Sequence, residues 1–290
     1  MATDFTEETA ADAVTGSFAP STDPRLRDIL TSLVRHLHAF AREVELTIPE
    51  WNTAIDFLTR VGQKCDADRQ EFILLSDVLG LSMLTETINN RKFGVATEST
   101  VLGPFHVVES PPLELGANID HVGTGMPCVV TGRVVSTDGT PLPGASIDVW
   151  QANDQGFYDV QQPGVQPRGN GRGLFTADAE GRFWFRTIVP SYYPIPTDGP
   201  VGELLIATGR HAFRPAHIHF IVSAPGHREL TTHIFVAGSE YIESDTVFAV
   251  KKSLVADFDL VEDPERARRW DVPVPFRHAD FEVIMQPAAS

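Results

Sequence analysis

The chain has 290 residues, 42% of them hydrophobic and 21% charged, the proportions of a globular enzyme with room for one large domain or two small ones. A formal net charge of −16 argues against nucleic acid or an anionic membrane as a partner, and means that anion chemistry needs local cations such as Arg214. No apolar stretch approaches the roughly 20 residues of a membrane span, and no signal peptide is expected; Cys65 and Cys128 match no metal spacing and read as reduced thiols in a cytoplasmic protein.

Residues 1–22 are acidic, small and aperiodic, and read as a flexible arm. Asp23-Pro24 then has the form of an N-cap followed by proline at the first helical position, and Leu26, Ile29, Leu30, Leu33, Leu37, Phe40, Ala41 and Val44 recur at helical spacing. Thr47-Ile48-Pro49-Glu50 has capping-box form and opens a second helix carrying Trp51, Ile55, Leu58 and Val61. A third is predicted from about Asp66, with Phe72, Leu75, Leu79 and Met83. The helical region is expected over 23–95, followed by a turn-rich linker over 96–126.

From 127 to 290 the pattern is one of short strands. Val129–Val135 and Ala145–Trp150 flank a Gly/Pro-rich turn, and further strands are predicted at Gly181–Val189, His217–Ser223, Thr231–Val236 and Ser253–Val261. Spacing of this kind, with almost no helix signal, favours an antiparallel β-sandwich. The fold class expected is α+β, an N-terminal helical domain packed on that sandwich.

His217 and His219 stand one residue apart in Arg214-Pro215-Ala216-His217-Ile218-His219. On a strand, residues two apart leave the same face roughly 7 Å apart at Cα, close enough for both rings to meet one metal ion. The plain alternative is two polar residues on a wet strand face. Only four tyrosines occur against eighteen phenylalanines, so Tyr158 in its polar loop and Tyr192 and Tyr193 in a proline-rich loop invite a role for the hydroxyl. A buried phenol normally keeps its proton, but a bound cation stabilises the phenolate. Two imidazoles with two phenolates differ from the usual zinc donors and from the two-His, one-carboxylate Fe(II) set, and suit Fe(III).

The sequence resembles the intradiol ring-cleavage dioxygenases of the catechol 1,2-dioxygenase family, in its hydroxyquinol-cleaving branch, from about Pro24 to the C-terminus. The resemblance rests on Glu98-Ser99-Thr100-Val101-Leu102-Gly103-Pro104-Phe105, Asp148 to Asp159, Tyr193-Pro194-Ile195-Pro196 and Arg214 to His219. It implies one Fe(III) per chain held by Tyr158, Tyr193, His217 and His219, with Tyr158 and His217 equatorial and Tyr193 and His219 axial. It implies that Tyr193 accepts a proton from the substrate and that Arg214 stands beside the ring. Leu74, Asp77, Val101, Leu102, Gly103, Ile195 and Pro196 match the substrate pocket, with Asp77 accepting a hydrogen bond from a third ring hydroxyl. The reaction implied is cleavage of a small aromatic diol or triol by O₂, in the breakdown of aromatic compounds, by a homodimer joined through its helical domains with a phospholipid-filled tunnel there.

Three questions stay open at this level. A catechol or chlorocatechol enzyme would carry the same ligands. Val130–Val135 with Pro143–Ile147 also resembles a carboxypeptidase-regulatory β-sandwich, a module without metal. His233 reads equally as a support for an iron ligand and as a structural histidine, whereas His227 reads as exposed and inert.

Overall fold

The computed structural model describes residues 4–66, 69–91, 94–106 and 109–288, and it forms two compact units, 1–60 and 61–290. In the first, α1 (Ala10–Gly16) precedes α2 (Pro24–Glu43), and α3 (Ile48–Gln63) runs on past the boundary. Asp23 caps α2, accepting from Leu26 N at 3.0 Å with Pro24 at the first position. The capping box also forms: Thr47 N donates to Glu50 Oε2 at 2.9 Å, and Glu50 N to Thr47 Oγ1 at 3.4 Å. The expected arm is not irregular throughout, because α1 lies within it. Alanines at 10, 11 and 13 favour helix at low entropic cost, Thr9 Oγ1 donates to Asp4 O, and Arg42 Nη1 holds Glu7 O at 3.1 Å. The helix is too short to show apolar periodicity.

Helix α2 has the predicted apolar stripe, yet none of its residues is buried; Leu26, Ile29, Leu33, Leu37 and Phe40 are 46–54% exposed.

In the second unit the expected third helix is two. Its first part, α4 (Glu71–Val78), starts later than Asp66, and Gly80 at φ +74° turns the chain before α5 (Leu81–Asn89). The left-handed backbone at Gly80 cannot continue an α-helix.

The strands follow as β1 (Pro127–Ser136), β2 (Ser146–Gln151), β3 (Arg172–Thr176), β4 (Arg182–Ile188) and β5 (Tyr193–Pro194). After α6 (Pro200–Ala207) come β6 (Phe213–Arg214), β7 (His217–Ser223), β8 (Leu230–Val236), β9 (Val255–Ala256) and β10 (Asp259–Val261), then α7 (Pro264–Trp270) and β11 (Phe276–Met285). Two sheets, ordered β10-β11-β1-β4 and β3-β2-β7-β8-β9, make the predicted sandwich, and β5 pairs with β6. Most pairings are antiparallel, but β1–β11 and β8–β9 are parallel. Phe183, Phe185, Val130 and Val283 of one sheet meet Ile147, Val149, Ile218, Phe220 and Val222 of the other in a sealed core.

Several elements depart from the sequence reading. The strand expected over Ser253–Val261 is divided, because β9 belongs to one sheet and β10 to the other, and Phe258 fills the core where the chain crosses. Strand β11 was not predicted: His278 and Asp280, on either side of the core residue Ala279, interrupt its apolar run on the face away from the core. Helices α6 and α7 were likewise not predicted, although both begin with proline at an initial position, and Asp263 caps α7 through Glu265 N at 2.8 Å.

Candidate metal centre

Strand β7 divides its side chains cleanly. Ile218, Phe220 and Val222 enter the sandwich core, while His217 and His219 leave the opposite face and are each 1% exposed. The wet-face alternative therefore fails: that face is roofed by loops. Register places Trp150 of β2 and His233 of β8 on either side of His219, and the Trp150 and His219 rings stack at 4.6 Å.

The first covering loop carries Tyr158. Asn153 Oδ1 accepts from Gln155 N and Phe157 N at 3.0 Å, folding the loop back, and Gly156 takes φ +83°. A Cβ at Gly156 would lie 2.7 Å from Tyr192 O and 2.9 Å from Tyr193 Cβ, so glycine permits the two tyrosine loops to touch. Behind Tyr158, the buried Asp159 accepts from Arg172 Nε at 2.8 Å, and Arg172 Nη2 donates to Phe105 O at 2.8 Å. That linkage presses the Phe105 ring onto Tyr158, with centroids 4.6 Å apart. The second covering piece is the β5–β6 ladder, which pairs Tyr193 with Arg214.

Four atoms close a ring. Tyr158 Oη lies 3.3 Å from Tyr193 Oη, which lies 3.4 Å from His217 Nε2; the two histidine Nε2 atoms are 3.1 Å apart, and His219 Nε2 is 3.0 Å from Tyr158 Oη. Four tetrahedral ligands with bonds of about 2.0–2.1 Å stand ~3.3 Å from one another, so these edges match a shared metal ion. Tautomer chemistry agrees: His217 Nδ1 lies 2.7 Å from Pro215 O and donates to it, leaving Nε2 as an inward lone pair. Burial, then the Arg214 charge, holds His217 well below the usual imidazole range; burial, then His233, does the same for His219. Burial and the neighbouring Tyr193 push the Tyr158 phenol well above its ordinary value. Neutral imidazoles are ready ligands, whereas the phenol needs a cation to ionise, and a bound metal ion inverts its preference. The donor set fits such an ion. Among the described residues, His217, His219 and His233 form a buried trio with possible ligand atoms within 4.8 Å. Thr100 Oγ1 engages His233 Nδ1, and the His233 ring lies against His219 with centroids 4.0 Å apart, outside the ring of four.

Beside the centre is a small cavity lined by Leu74, Asp77, Val101, Gly103, Tyr193, Ile195, Pro196 and Arg214, with Pro104, Phe105 and Val247. Of the two ring-forming tyrosines, Tyr193 lines it and Tyr158 does not. Gly103 presses close, since a Cβ there would sit 3.1 Å from His219 Cε1. One expected wall residue is not among the lining: Leu102 is 44% exposed and borders another cavity, with Ser99, Thr100 and Arg228. Val101 and Gly103 line the ring cavity and Leu102 between them does not, and Gly103 at φ +78° turns the chain at this point. Asp77 is 8% exposed, and burial raises its carboxyl above the usual range, against a hydrogen bond from Ser82 and the Arg214 charge.

Helix α4 is fastened to the segment that follows Ile195–Pro196. The fully buried Glu71 accepts from Val201 N at 3.2 Å, and Arg69 bridges Glu71 and Asp198. Arg214 Nη1 lies 3.3 Å from His217 Nε2 and 3.5 Å from Tyr193 Oη. Burial alone would weaken this cation, but Asp245 more than restores it, so the guanidinium stays charged. Asp245, Phe105, Val247 and Trp150 were not singled out from sequence. Phe105 stands in a quoted motif; nothing local marks Asp245, which meets Arg214 across 31 residues.

Comparison with known proteins accords with this geometry. The family profile described as "Dioxygenase" matches residues 104–287, and "Catechol dioxygenase N terminus" matches 23–97. The chain is 56% identical over 264 residues to a hydroxyquinol 1,2-dioxygenase of Rhizobium sp. (strain MTP-10005), covering 91% of this chain and 90% of the relative. It is 52% identical to a 6-chlorohydroxyquinol 1,2-dioxygenase of Cupriavidus pinatubonensis, covering 88% and 92%. The crystal structure of hydroxyquinol 1,2-dioxygenase from Pseudomonas putida DLL-E4 superposes with a TM-score of 0.92 at 48% identity, over 97% of this chain and 99% of that one. With this identity spread over nearly its whole length, the chain belongs to the intradiol ring-cleavage dioxygenase family.

Proposed function

We propose that the protein is a hydroxyquinol 1,2-dioxygenase. It opens 1,2,4-trihydroxybenzene between the two adjacent hydroxylated carbons, inserting both atoms of O₂ to give 3-hydroxy-cis,cis-muconate, whose keto tautomer is maleylacetate. The observation that carries this reading is the meeting of Tyr193, Arg214 and Asp77 on the walls of one small cavity beside the four-donor ring.

Tyr158, Tyr193, His217 and His219 would hold one Fe(III) per chain. Ferric iron held there would supply the Lewis acidity and redox capacity that let a closed-shell aromatic diol react with triplet O₂. Tyr193, which lines the cavity, takes a proton from a substrate hydroxyl. Arg214, charged and buried, stabilises carbanion character in the ring and the oxyanion that develops from it. Asp77, in the wall of the same cavity, receives the third hydroxyl, while Leu74, Val101, Ile195 and Pro196 keep water from the ring.

The exposed stripe on α2 supports a homodimer through the helical units, with phospholipid held there. The domain division proposed is 23–95 helical and 127–290 catalytic, joined by 96–126, and the two unbridged cysteines support a cytoplasmic enzyme.

Product identification under ¹⁸O₂ with hydroxyquinol, catechol and chlorocatechols tests this reading, together with metal analysis and a visible spectrum. Expected are one iron per chain, a red tyrosinate charge-transfer band, and the highest kcat/KM with hydroxyquinol. A colourless protein with stoichiometric zinc would overturn it; a preference for catechol would move it to the catechol-type enzymes.

A further inference from the structure

Arg214 does not choose its own orientation. Its guanidinium is gripped from behind by Asp245, with Nε 3.2 Å from Oδ1 and Nη2 3.4 Å from Oδ2, leaving Nη1 as the donor toward Tyr193 and His217. Both side chains are buried, at 2% and 6% exposure for Arg214 and Asp245. The carboxylate is itself fixed by the backbone that follows it: Oδ1 accepts from Val247 N at 3.3 Å and Oδ2 from Ala249 N at 3.0 Å. Each oxygen thus takes one guanidinium donor and one backbone donor. Only an ionised carboxylate accepts all four; an amide would turn an N–H against two of them.

The same segment forms a wall, because Val247 lines the ring cavity. Arg210 secures it from the other side, donating to Thr246 O at 2.8 Å and to Val78 O of α4 at 2.6 Å. Asp245 is therefore referenced to the cavity wall and to the helix that carries Asp77. We propose that Asp245 is a positioning residue for ring cleavage: it turns the Arg214 guanidinium so that Nη1 faces the reacting ring. This rests on the reading of Arg214 given above. A misplacement of about 1 Å in such a group costs on the order of 10²-fold in rate.

The test is a double-mutant cycle on iron-loaded protein, with Asp245→Asn, Arg214→Met and the double variant, read by kcat for hydroxyquinol, anaerobic substrate Kd, iron content and melting temperature. Asp245→Asn should keep its iron, lose ~10–10²-fold in kcat, and weaken anaerobic binding much less. In the Arg214→Met background the same substitution should change kcat by no more than about twofold, since the group it orients is gone. A full, additive loss in that background would overturn the inference and leave Asp245 a structural residue, as would wild-type kcat in Asp245→Asn. If Arg214→Met alone keeps wild-type kcat, the reading of Arg214 fails first and the inference with it. Asp245→Glu keeps the charge and the acceptors but displaces them by one methylene. It closes the same cycle with the same two outcomes if the asparagine variant does not fold.

Discussion

At the metal centre the four donor side chains are 1–2% exposed, and each is fixed by its own backbone: two on one strand of a five-stranded sheet, one in a loop pinned by Asp159 and Arg172, one in a short ladder. The ring cavity beside it is assembled differently. Apart from Tyr193 and Arg214 of the short ladder, its walls come from the eight-residue helix α4, two proline-bearing loops and the segment through Val247, pieces drawn together by polar bridges such as Arg69–Glu71–Asp198. The contrast separates two demands. A metal needs ligands set to fractions of an ångström, which a strand pair supplies. A pocket that distinguishes one ring from another needs a wall that can change without moving the ligands.

Four substitutions probe that separation. Tyr158→Phe attacks the ligand ring itself and should have the largest effect: loss of the visible band, iron well below one per chain, and a fall in kcat of ~10³-fold or more, beyond that of a lost electrostatic donor. Metal analysis beside the spectrum checks it. Arg214→Lys stands on the border of the two regions. It should retain iron and lose ~10²-fold in kcat, because an ammonium cannot both fill the Asp245 clasp and present the remaining donor. Steady-state kinetics at full iron loading decides, and unchanged turnover would make Arg214 structural.

Asp77→Ala belongs to the cavity alone. It should leave iron and colour intact and lower kcat/KM for hydroxyquinol by on the order of 10–10²-fold, the weight of a hydrogen bond to a charged group, with little change for catechol. Equal losses for both substrates would dissolve the distinction between the regions. Gly156→Ala should have the smallest effect on turnover and still destabilise the protein by about 2 kcal/mol, since alanine at φ +83° is strained and its Cβ meets Tyr192 O. Denaturant unfolding of the iron-free protein measures it.

The same division separates what could be read in the sequence from what could not. Donor residues are conspicuous because tyrosine is scarce here and because alternation along one strand fixes which side chains share a face. Sandwich strands such as β1, β2 and β7 are legible for the same reason. Leu102 was named with Val101 and Gly103 because all three match pocket positions of the family, and which of them line the cavity depends on a backbone turn at Gly103 that the motif does not reveal. Strand β11 escaped because polar residues interrupt its pattern, and α4 and α5 were merged because Leu, Phe and Met continue at helical spacing across Gly80. Asp245 could not be found at all: the contact that gives it meaning spans 31 residues, and nothing beside it in the chain is unusual.

The parallel pairing of β1 with β11 carries a consequence for biosynthesis. Every donor residue and Arg214 precede Phe276, so a nascent chain that has emerged as far as β10 already carries the complete chemistry. Yet β1 then lacks a neighbour along one edge, β10 lacks the strand it pairs with, and Val130 and Val134 face a core without Ala279, Val283 and Met285. The sandwich whose outer face aligns His217 and His219 closes only when the last strand arrives. The donor face is therefore ordered only after Phe276–Met285 has paired, and a frameshift within that strand would disrupt the site although it altered none of the four donor residues.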